Sequence, residues 1–134
     1  KFSKKMCPIN DEEKRKMEYR PYAQVVGSIM YVMLCTRPDL SFAISLVTRF
    51  QSNPGEAYWV AVKRILRYIK GTKSHKMTYS GKHLKVNRYS NSDFSGDTDN
   101  GKCTSGYVFL LGGEAISWCS KKQSCVAKST MDAE

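Results

Sequence analysis

The stretch that decides the fold of the second half of the chain is LKVNRYSNSDFSGDTD, residues 84–99. It begins as an extended run of alternating apolar and polar residues and ends in a cluster of acids and small residues. Asp93, Asp97 and Asp99 lie close together there in an otherwise strongly basic protein. Carboxylate oxygens at the end of a strand are ligands that Mg²⁺ prefers, whereas an Asp/Ser/Gly-rich loop that only turns the chain has the same composition. Composition alone leaves both interpretations open.

The charge of the chain is unevenly distributed. The 134 residues carry a net charge of +10. Residues 1–73 hold 14 basic and 6 acidic side chains (+8), and residues 74–134 hold 8 and 6 (+2). A basic excess of this kind favours a polyanionic partner such as nucleic acid, although ordinary solubilising charge gives the same count. The length permits one modest core or two small units and excludes a large enzyme.

The cysteines and the hydropathy pattern bear on the compartment. The five cysteines are scattered and include no CxxC pair: Cys7, Cys35, Cys103, Cys119 and Cys125. We therefore expect neither a disulfide framework nor a zinc site. No run approaches the roughly 20 apolar residues that span a bilayer, and no signal-peptide pattern is present. These features predict an intracellular protein, cytoplasmic or nuclear, with no membrane partner, and its first and last residues suggest a piece of something longer.

Three amphipathic helices are predicted between residues 19 and 73, after a polar tail or linker over residues 1–18. The first begins at Pro21, whose missing N–H suits the first helical turn, and its apolar side chains keep helical spacing to Leu34. Residues 36–39 (TRPD) resemble a capping box that would start a second helix, from Pro38 to about Ser52.

The third predicted helix has Asn53 as its cap and Pro54 in its first turn, and it ends near Gly71. Its inward face is Trp59, Val62, Leu66 and Ile69. Its outer face carries four basic side chains: Lys63, Arg64, Arg67 and Lys70. Such a stripe could follow a phosphate backbone, or it could be a solvated face whose aliphatic stems cover apolar surface. Three short-linked helices of this kind predict a small bundle.

After Gly71 the hydrophobic period changes toward two, which predicts a sheet over residues 74–134. Residues 76–80 are a weaker candidate for a short additional strand, and the expected strands are residues 84–90, 105–111 and 115–120. The last two are joined by a short turn at residues 112–114 (GGE), which implies an antiparallel hairpin. A helix should start after Ser124. The fold class is therefore α+β, a three-helix bundle followed by a β-β-β-α unit with an antiparallel sheet.

Two long blocks, residues 19–72 (YRPYAQVVGSIMYVMLCTRPDLSFAI…) and 88–134 (RYSNSDFSGDTDNGKCTSGYVFLLGG…), closely resemble the Pol polyprotein of copia-type LTR retrotransposons. The first block resembles the thumb and connection at the end of the reverse transcriptase. The second resembles the start of the ribonuclease H domain, so the resemblance implies an incomplete ribonuclease H-like unit. It also implies an RNA–DNA hybrid or other nucleic acid, and the rest of the polyprotein, as partners.

Ribonuclease H cleaves the RNA strand of a hybrid with carboxylates around two Mg²⁺ ions, so the resemblance implies Mg as cofactor. The first catalytic Asp of the family pattern is matched by Asn91, which carries no negative charge, and metal binding and rate should both fall. Asp93 is a poor stand-in, because two strand residues advance about 6.6 Å whereas such metals lie about 3.5–4 Å apart. Glu134 matches the second family carboxylate.

The leading hypothesis is a fragment of a retrotransposon Pol polyprotein, from the reverse transcriptase/ribonuclease H region, that is catalytically inactive as it stands. A second hypothesis is a sequence-independent nucleic-acid-binding module that uses the basic helix. A third is a part of a Mg-dependent ribonuclease H that is active in the full-length protein, where further acids complete the site. A partly folded product with no selected function is the remaining alternative.

Overall fold

The computed structural model describes residues 2–79, 81 and 84–134. Over these residues the fold mixes five α-helices with a three-stranded antiparallel open sheet. The elements are α1 (Asp11–Glu18), α2 (Tyr22–Thr36), α3 (Ser41–Thr48), α4 (Glu56–Gly71), β1 (Val86–Asp93), β2 (Thr104–Leu111), β3 (Glu114–Lys122) and α5 (Thr130–Ala133). The chain divides into two compact units, Lys1–Ser74 and His75–Glu134.

The core of the first unit lies where α2, α3 and α4 pack against one another. Each helix contributes an apolar stripe, and the most deeply buried side chains are Val26, Ile44, Val47, Tyr58 and Val62. Full burial of one such side chain contributes roughly 1.5–3 kcal/mol. The three predicted helices are therefore present and pack against one another. No helix in the described part of the chain is long and apolar enough to cross a bilayer.

The second helix is shorter than predicted, and its capping box does not form. Pro38–Leu40 is a 3₁₀ turn, and α3 covers only Ser41–Thr48. The Thr36 hydroxyl donates back to the Val32 carbonyl at 3.4 Å, and the Asp39 carboxylate accepts from the Arg37 guanidinium at 2.9 and 2.8 Å. The predicted capping box was wrong, because the Asp39 carboxylate binds the neighbouring Arg37 guanidinium and not a backbone N–H at the start of the helix.

The buried face of α4 is rotated by about one residue from the predicted one. The buried residues are Tyr58, Val62 and Ile65, whereas Leu66 is 40% exposed. The cap is Gly55, and the Asn53 amide donates instead to the Pro8 carbonyl at 3.3 Å. The physical reason lies in the residues before α1, which cover this side of the helix.

The predicted polar tail is structured. It contains a 3₁₀ turn at Lys4–Met6 and helix α1, whose Met17 is buried. The Phe2 ring packs 5.0 Å from the Tyr58 ring, and the Tyr58 hydroxyl donates to the Ser3 carbonyl at 2.5 Å. A Cβ at Gly55 would collide with the Met6 carbonyl, which shows how closely the two segments approach. Isolated apolar residues such as Phe2 and Met17 produce no periodic hydrophobic pattern in a polar segment. The polar composition alone therefore predicted a tail where the structure has packed residues.

The sheet of the second unit is an antiparallel meander in the order β1-β2-β3. Gly112 and Gly113 both have positive φ, 61° and 94°, which a tight two-residue hairpin turn requires. The two hairpin strands are confirmed. The first long strand begins at Val86, two residues later than predicted, and continues to Asp93. Residues 76–79 form no strand, and Ser80 lies outside the described residues.

The final helix α5 is a single turn, Thr130–Ala133. Two side chains cap it: the Ser129 hydroxyl accepts from the Asp132 N–H at 3.1 Å, and the Asp132 carboxylate accepts from the N–H of Lys128, the residue before the cap, at 2.8 Å. This arrangement stabilises the helix start. The turn sets the direction in which the chain enters its last residue, Glu134.

Candidate functional site

Asn91 and Glu134 line the same pocket of the second unit. The pocket has a volume of about 420 Å³ and lies over the sheet. Its lining residues are Ser90, Asn91, Ser92, Ser105, Gly106, Tyr107, Cys119, Lys121 and Glu134. The fold thus brings together a residue of β1 and the residue after α5, the two positions that the family resemblance assigned to the first and second carboxylates.

Asn91 lies in the middle of the β1–β2 ladder, opposite Gly106. Its side-chain oxygen accepts a hydrogen bond from the Ser92 N–H at 2.9 Å. Small residues next to it in the pocket lining include Ser90, Ser92, Ser105 and Gly106. An amide oxygen is neutral, however, and a divalent cation gains far more from a carboxylate at this position.

Asp93 has a different task. One carboxylate oxygen accepts from the Thr104 N–H at 2.7 Å, which joins the end of β1 to the start of β2. A Cβ at Gly96 would collide with the same carboxylate, so the loop folds directly over it. Asp93 does not line the pocket that holds Asn91 and Glu134. The structure therefore does not bring this proposed stand-in together with them.

Asp97 and Asp99 belong to the loop after β1. The buried Asp97 carboxylate accepts from the Asp99 N–H at 3.3 Å and pairs with Lys122 of β3. The Asp97 backbone closes the loop through the Lys102 carbonyl at 3.1 Å and the Gly101 N–H at 2.9 Å. Within residues 2–79, 81 and 84–134, no group of three or more His, Cys, Asp or Glu side chains is arranged to hold a metal. In the structure the Asp93 and Asp97 carboxylates make contacts that hold the loop after β1 against β2 and β3.

The four basic residues of α4 are exposed: Lys63, Arg64, Arg67 and Lys70. Among the residues that the structure describes, none of them forms an ion pair. Arg20 and Arg37 differ, because they pair with Glu56 and Asp39. The outer face of α4 therefore presents four uncompensated positive charges to solvent. This geometry suits an extended polyanion.

Sequence reasoning missed a polar cluster at the end of α4 that contains Arg37, Asp39, Tyr68 and Thr72. The guanidinium donates to the Thr72 hydroxyl at 2.7 Å and lies 5.4 Å from the centre of the Tyr68 ring. The Tyr68 hydroxyl donates to Asp39 at 2.8 Å. Hydrogen bonds from Arg37 lower the pKa of Asp39, and the bond to Asp39 raises the pKa of Tyr68. The sequence signal for this cluster is the Arg-Pro-Asp triplet of residues 37–39, which also fits the predicted capping box.

Comparison with known proteins gives the family. The chain is 50% identical over all 134 residues to the retrovirus-related Pol polyprotein from transposon TNT 1-94 of Nicotiana tabacum, and it covers 10% of that protein. It is 42% identical over 114 residues, 84% of its length, to the Pol polyprotein from transposon RE2 of Arabidopsis thaliana and covers 8% of it. No protein-family model and no solved structure matches the chain.

The chain covers most of the length of one shorter relative. The secreted RxLR effector protein 161 of Plasmopara viticola is 41% identical over 119 residues, which make up 88% of this chain and 84% of that protein. The chain is thus homologous to a segment of retrovirus-related Pol polyproteins from plant transposons. It matches one segment of the plant polyproteins, about a tenth of the length of the tobacco protein.

Proposed function

We propose that the chain is a segment of the reverse transcriptase/ribonuclease H region of a copia-type Pol polyprotein and that it does not cleave RNA–DNA hybrids by itself. The supporting observation is the shared pocket of Asn91 and Glu134. The resemblance assigns these residues to the first two acidic positions of a ribonuclease H site, and a β-β-β-α order matches the start of that domain. The shared pocket supports this assignment of the site, and the neutral amide of Asn91 supports the absence of cleavage.

The pocket residues do not fit a pair of divalent cations. Two-metal cleavage needs carboxylates that hold and bridge both ions. This pocket offers the single carboxylate of Glu134 and the neutral amide of Asn91, and the positively charged Lys121 is also among its lining residues and disfavours cations. We propose that Mg²⁺ binds here only when acids from elsewhere in the full-length polyprotein complete the set. That variant of the hypothesis keeps an active ribonuclease H in the longer protein.

The test is Mg²⁺ binding and hybrid cleavage by the whole chain. We expect no cleavage of a labelled RNA–DNA hybrid by the wild type. In an NMR titration of Asn91→Asp, Mg²⁺ should shift the amide signals of residues 91 and 134. The variant should bind Mg²⁺ at least tenfold more tightly than the wild type, a gain of about 1.4 kcal/mol or more in binding free energy. Asn87→Asp is the matched control, since it adds the same charge to β1 outside the pocket. Wild-type cleavage that Glu134→Ala abolishes, or equal Mg²⁺ affinity in the two variants, contradicts the proposal.

A second function is supported by the basic face of α4, and it is sequence-independent nucleic-acid binding. Four phosphate contacts predict that log K falls with log salt concentration with a slope of about −3.6, from about −0.9 per contact. Replacing all four basic residues with Gln should remove most of that slope in an anisotropy titration with a duplex. Lys14→Gln with Lys16→Gln is the control, because these exposed lysines pair with Asp11 and Glu12. Salt-independent binding, or equal losses in both variants, rejects this function.

A further inference from the structure

Gln123, directly after β3, connects three separate elements of the second unit. Its backbone N–H donates to the Cys103 carbonyl at 2.8 Å, which fixes the residue beside the start of β2. Its side-chain nitrogen lies 2.6 Å from the Ser105 hydroxyl, 2.7 Å from the Ala133 carbonyl and 3.2 Å from the Ser92 hydroxyl. One amide group therefore reaches β1, β2 and the end of α5.

The contact with Ala133 matters because α5 is a single turn. The last carbonyls of a helix have no partner within the helix, and a helix this short has little stability of its own. An amide NH₂ has two hydrogens, which suffice for the two short contacts, to Ser105 and Ala133. Ala133 is also buried in a small cluster with Cys103 and Ala127, so the polar and apolar contacts hold the same residue in place.

We infer that Gln123 is a positioning residue that fixes Glu134 beside Asn91. The peptide bond that starts at the Ala133 carbonyl leads directly into Glu134, and Ser92 and Ser105 line the pocket together with both site residues. Gln123 does not line the pocket, so it acts through the backbone of Ala133. The inference rests on the proposed function only where it treats Glu134 as a group of the site.

The first experiment measures amide hydrogen exchange by NMR on the whole chain. Gln123→Glu keeps the shape and removes the donors, and Gln123→Met removes the donors without adding charge. Exchange of the Ala133 amide, which donates to the Ser129 carbonyl at 3.2 Å, should rise at least tenfold in both variants. The exchange rates of amides in the middle of β2 should change less than twofold. The control Gln51→Glu, at an exposed position of the first unit, should change the exchange rate neither of Ala133 nor of β2.

Three results overturn the inference. They are unchanged exchange at Ala133 in both variants, an increase in Gln123→Glu alone, and an equal increase across the sheet. The second would mean charge repulsion, and the third would mean a general structural role.

Mg²⁺ titration of Asn91→Asp, with and without Gln123→Met, separates the inference from the proposed function. We expect the double variant to bind Mg²⁺ at least fivefold more weakly. If Asn91→Asp gains affinity and the double variant keeps all of it, the positioning role is overturned while the proposed function stands. If Gln123→Met releases Ala133 but Asn91→Asp gains no affinity, the contact role of Gln123 is supported and the proposed function fails.

Discussion

Replacing Asp39 with Asn should destabilise the first unit, because it removes the charge that compensates Arg37. The Arg37 side chain is only 9% exposed, and it donates to Asp39 at 2.9 and 2.8 Å. Tyr68 donates to the same carboxylate at 2.8 Å. The substitution weakens these three hydrogen bonds, because the Asn side chain keeps one neutral oxygen acceptor and carries no negative charge. The bond from Arg37 to the Thr72 hydroxyl stays.

The magnitude follows from the burial of the two partners. Breaking a fully buried ion pair costs about 3–5 kcal/mol, whereas an exposed pair contributes about 0–1 kcal/mol. The Asp39 side chain is 37% exposed, so water partly replaces the lost charge. We expect the free energy of unfolding to fall by about 1.5–2.5 kcal/mol near neutral pH, between these limits.

The pH dependence has a definite sign. Hydrogen bonds from Arg37 lower the pKa of Asp39 in the folded state. The stabilisation is therefore present above the unfolded pKa of about 3.9 and is lost as the pH falls through the lower folded value. The difference between the parent and Asp39→Asn should be largest near neutral pH and should shrink in acid.

Urea denaturation measures this difference. Trp59 fluorescence in a Trp118→Phe background reports the first unit. Asp11→Asn is the control: its carboxylate is 88% exposed beside Lys14, and its loss should cost less than about 0.5 kcal/mol. An Asp39→Asn variant within about 0.5 kcal/mol of its parent, or a difference that stays constant into acid, would refute the reasoning.

Two further predictions concern the core and the helix backbone. Tyr22→Phe should cost about 1 kcal/mol, because the buried Tyr22 hydroxyl donates to the Val47 carbonyl at 2.9 Å. Burial raises the pKa of Tyr22 to about 12, so the neutral tyrosine stabilises the fold below about pH 10 and this stabilisation is lost toward pH 12. Urea denaturation at a series of pH values should show that the free energy of unfolding falls less between about pH 10 and 12 in Tyr22→Phe than in the parent. An equal fall in both proteins contradicts the assignment. Gly27→Ala should stabilise α2 by about 0.5–1 kcal/mol, since its Cβ meets open space, whereas Gly55→Ala should cost about 1–3 kcal/mol through the Met6 carbonyl. Thermal denaturation that ranks these two variants the other way would contradict both arguments.

The helices of the first unit could be predicted because their signal is local. Apolar spacing, Pro21 and Gly71 located α2 and α4 to within a few residues. The buried face of α4 includes Tyr58, which the predicted inward face did not contain. Its burial depends on the Ser3 carbonyl, a partner more than fifty residues away along the chain, at a separation of 55.

The candidate site shows the same division. The hairpin of β2 and β3 could be predicted from its tight glycine turn, whereas the register that places Asn91 opposite Gly106 could not, because the longer loop of residues 94–103 separates β1 from β2. The roles of Asp93 and Asp97 were not visible, because a carboxylate that bonds a backbone N–H and one that binds a metal have the same residue name. Gln123 belonged to no recognisable motif, since the three polar groups near its side-chain nitrogen lie on different elements.

The contacts that hold the N-terminal segment against α4 also impose an order on folding. The Ser3 and Pro8 carbonyls accept hydrogen bonds across 55 and 45 residues. Closing loops of this length costs about 3.5 kcal/mol beyond a constant, since loop entropy grows as (3/2)RT ln n. Contacts among α2, α3 and α4 close shorter loops, of 25 residues between Tyr22 and Val47 and 35 residues between Arg37 and Thr72. We therefore expect the segment before α1 to dock after these helices and to detach before them, which would expose the Tyr58 ring to water while the helices are still packed.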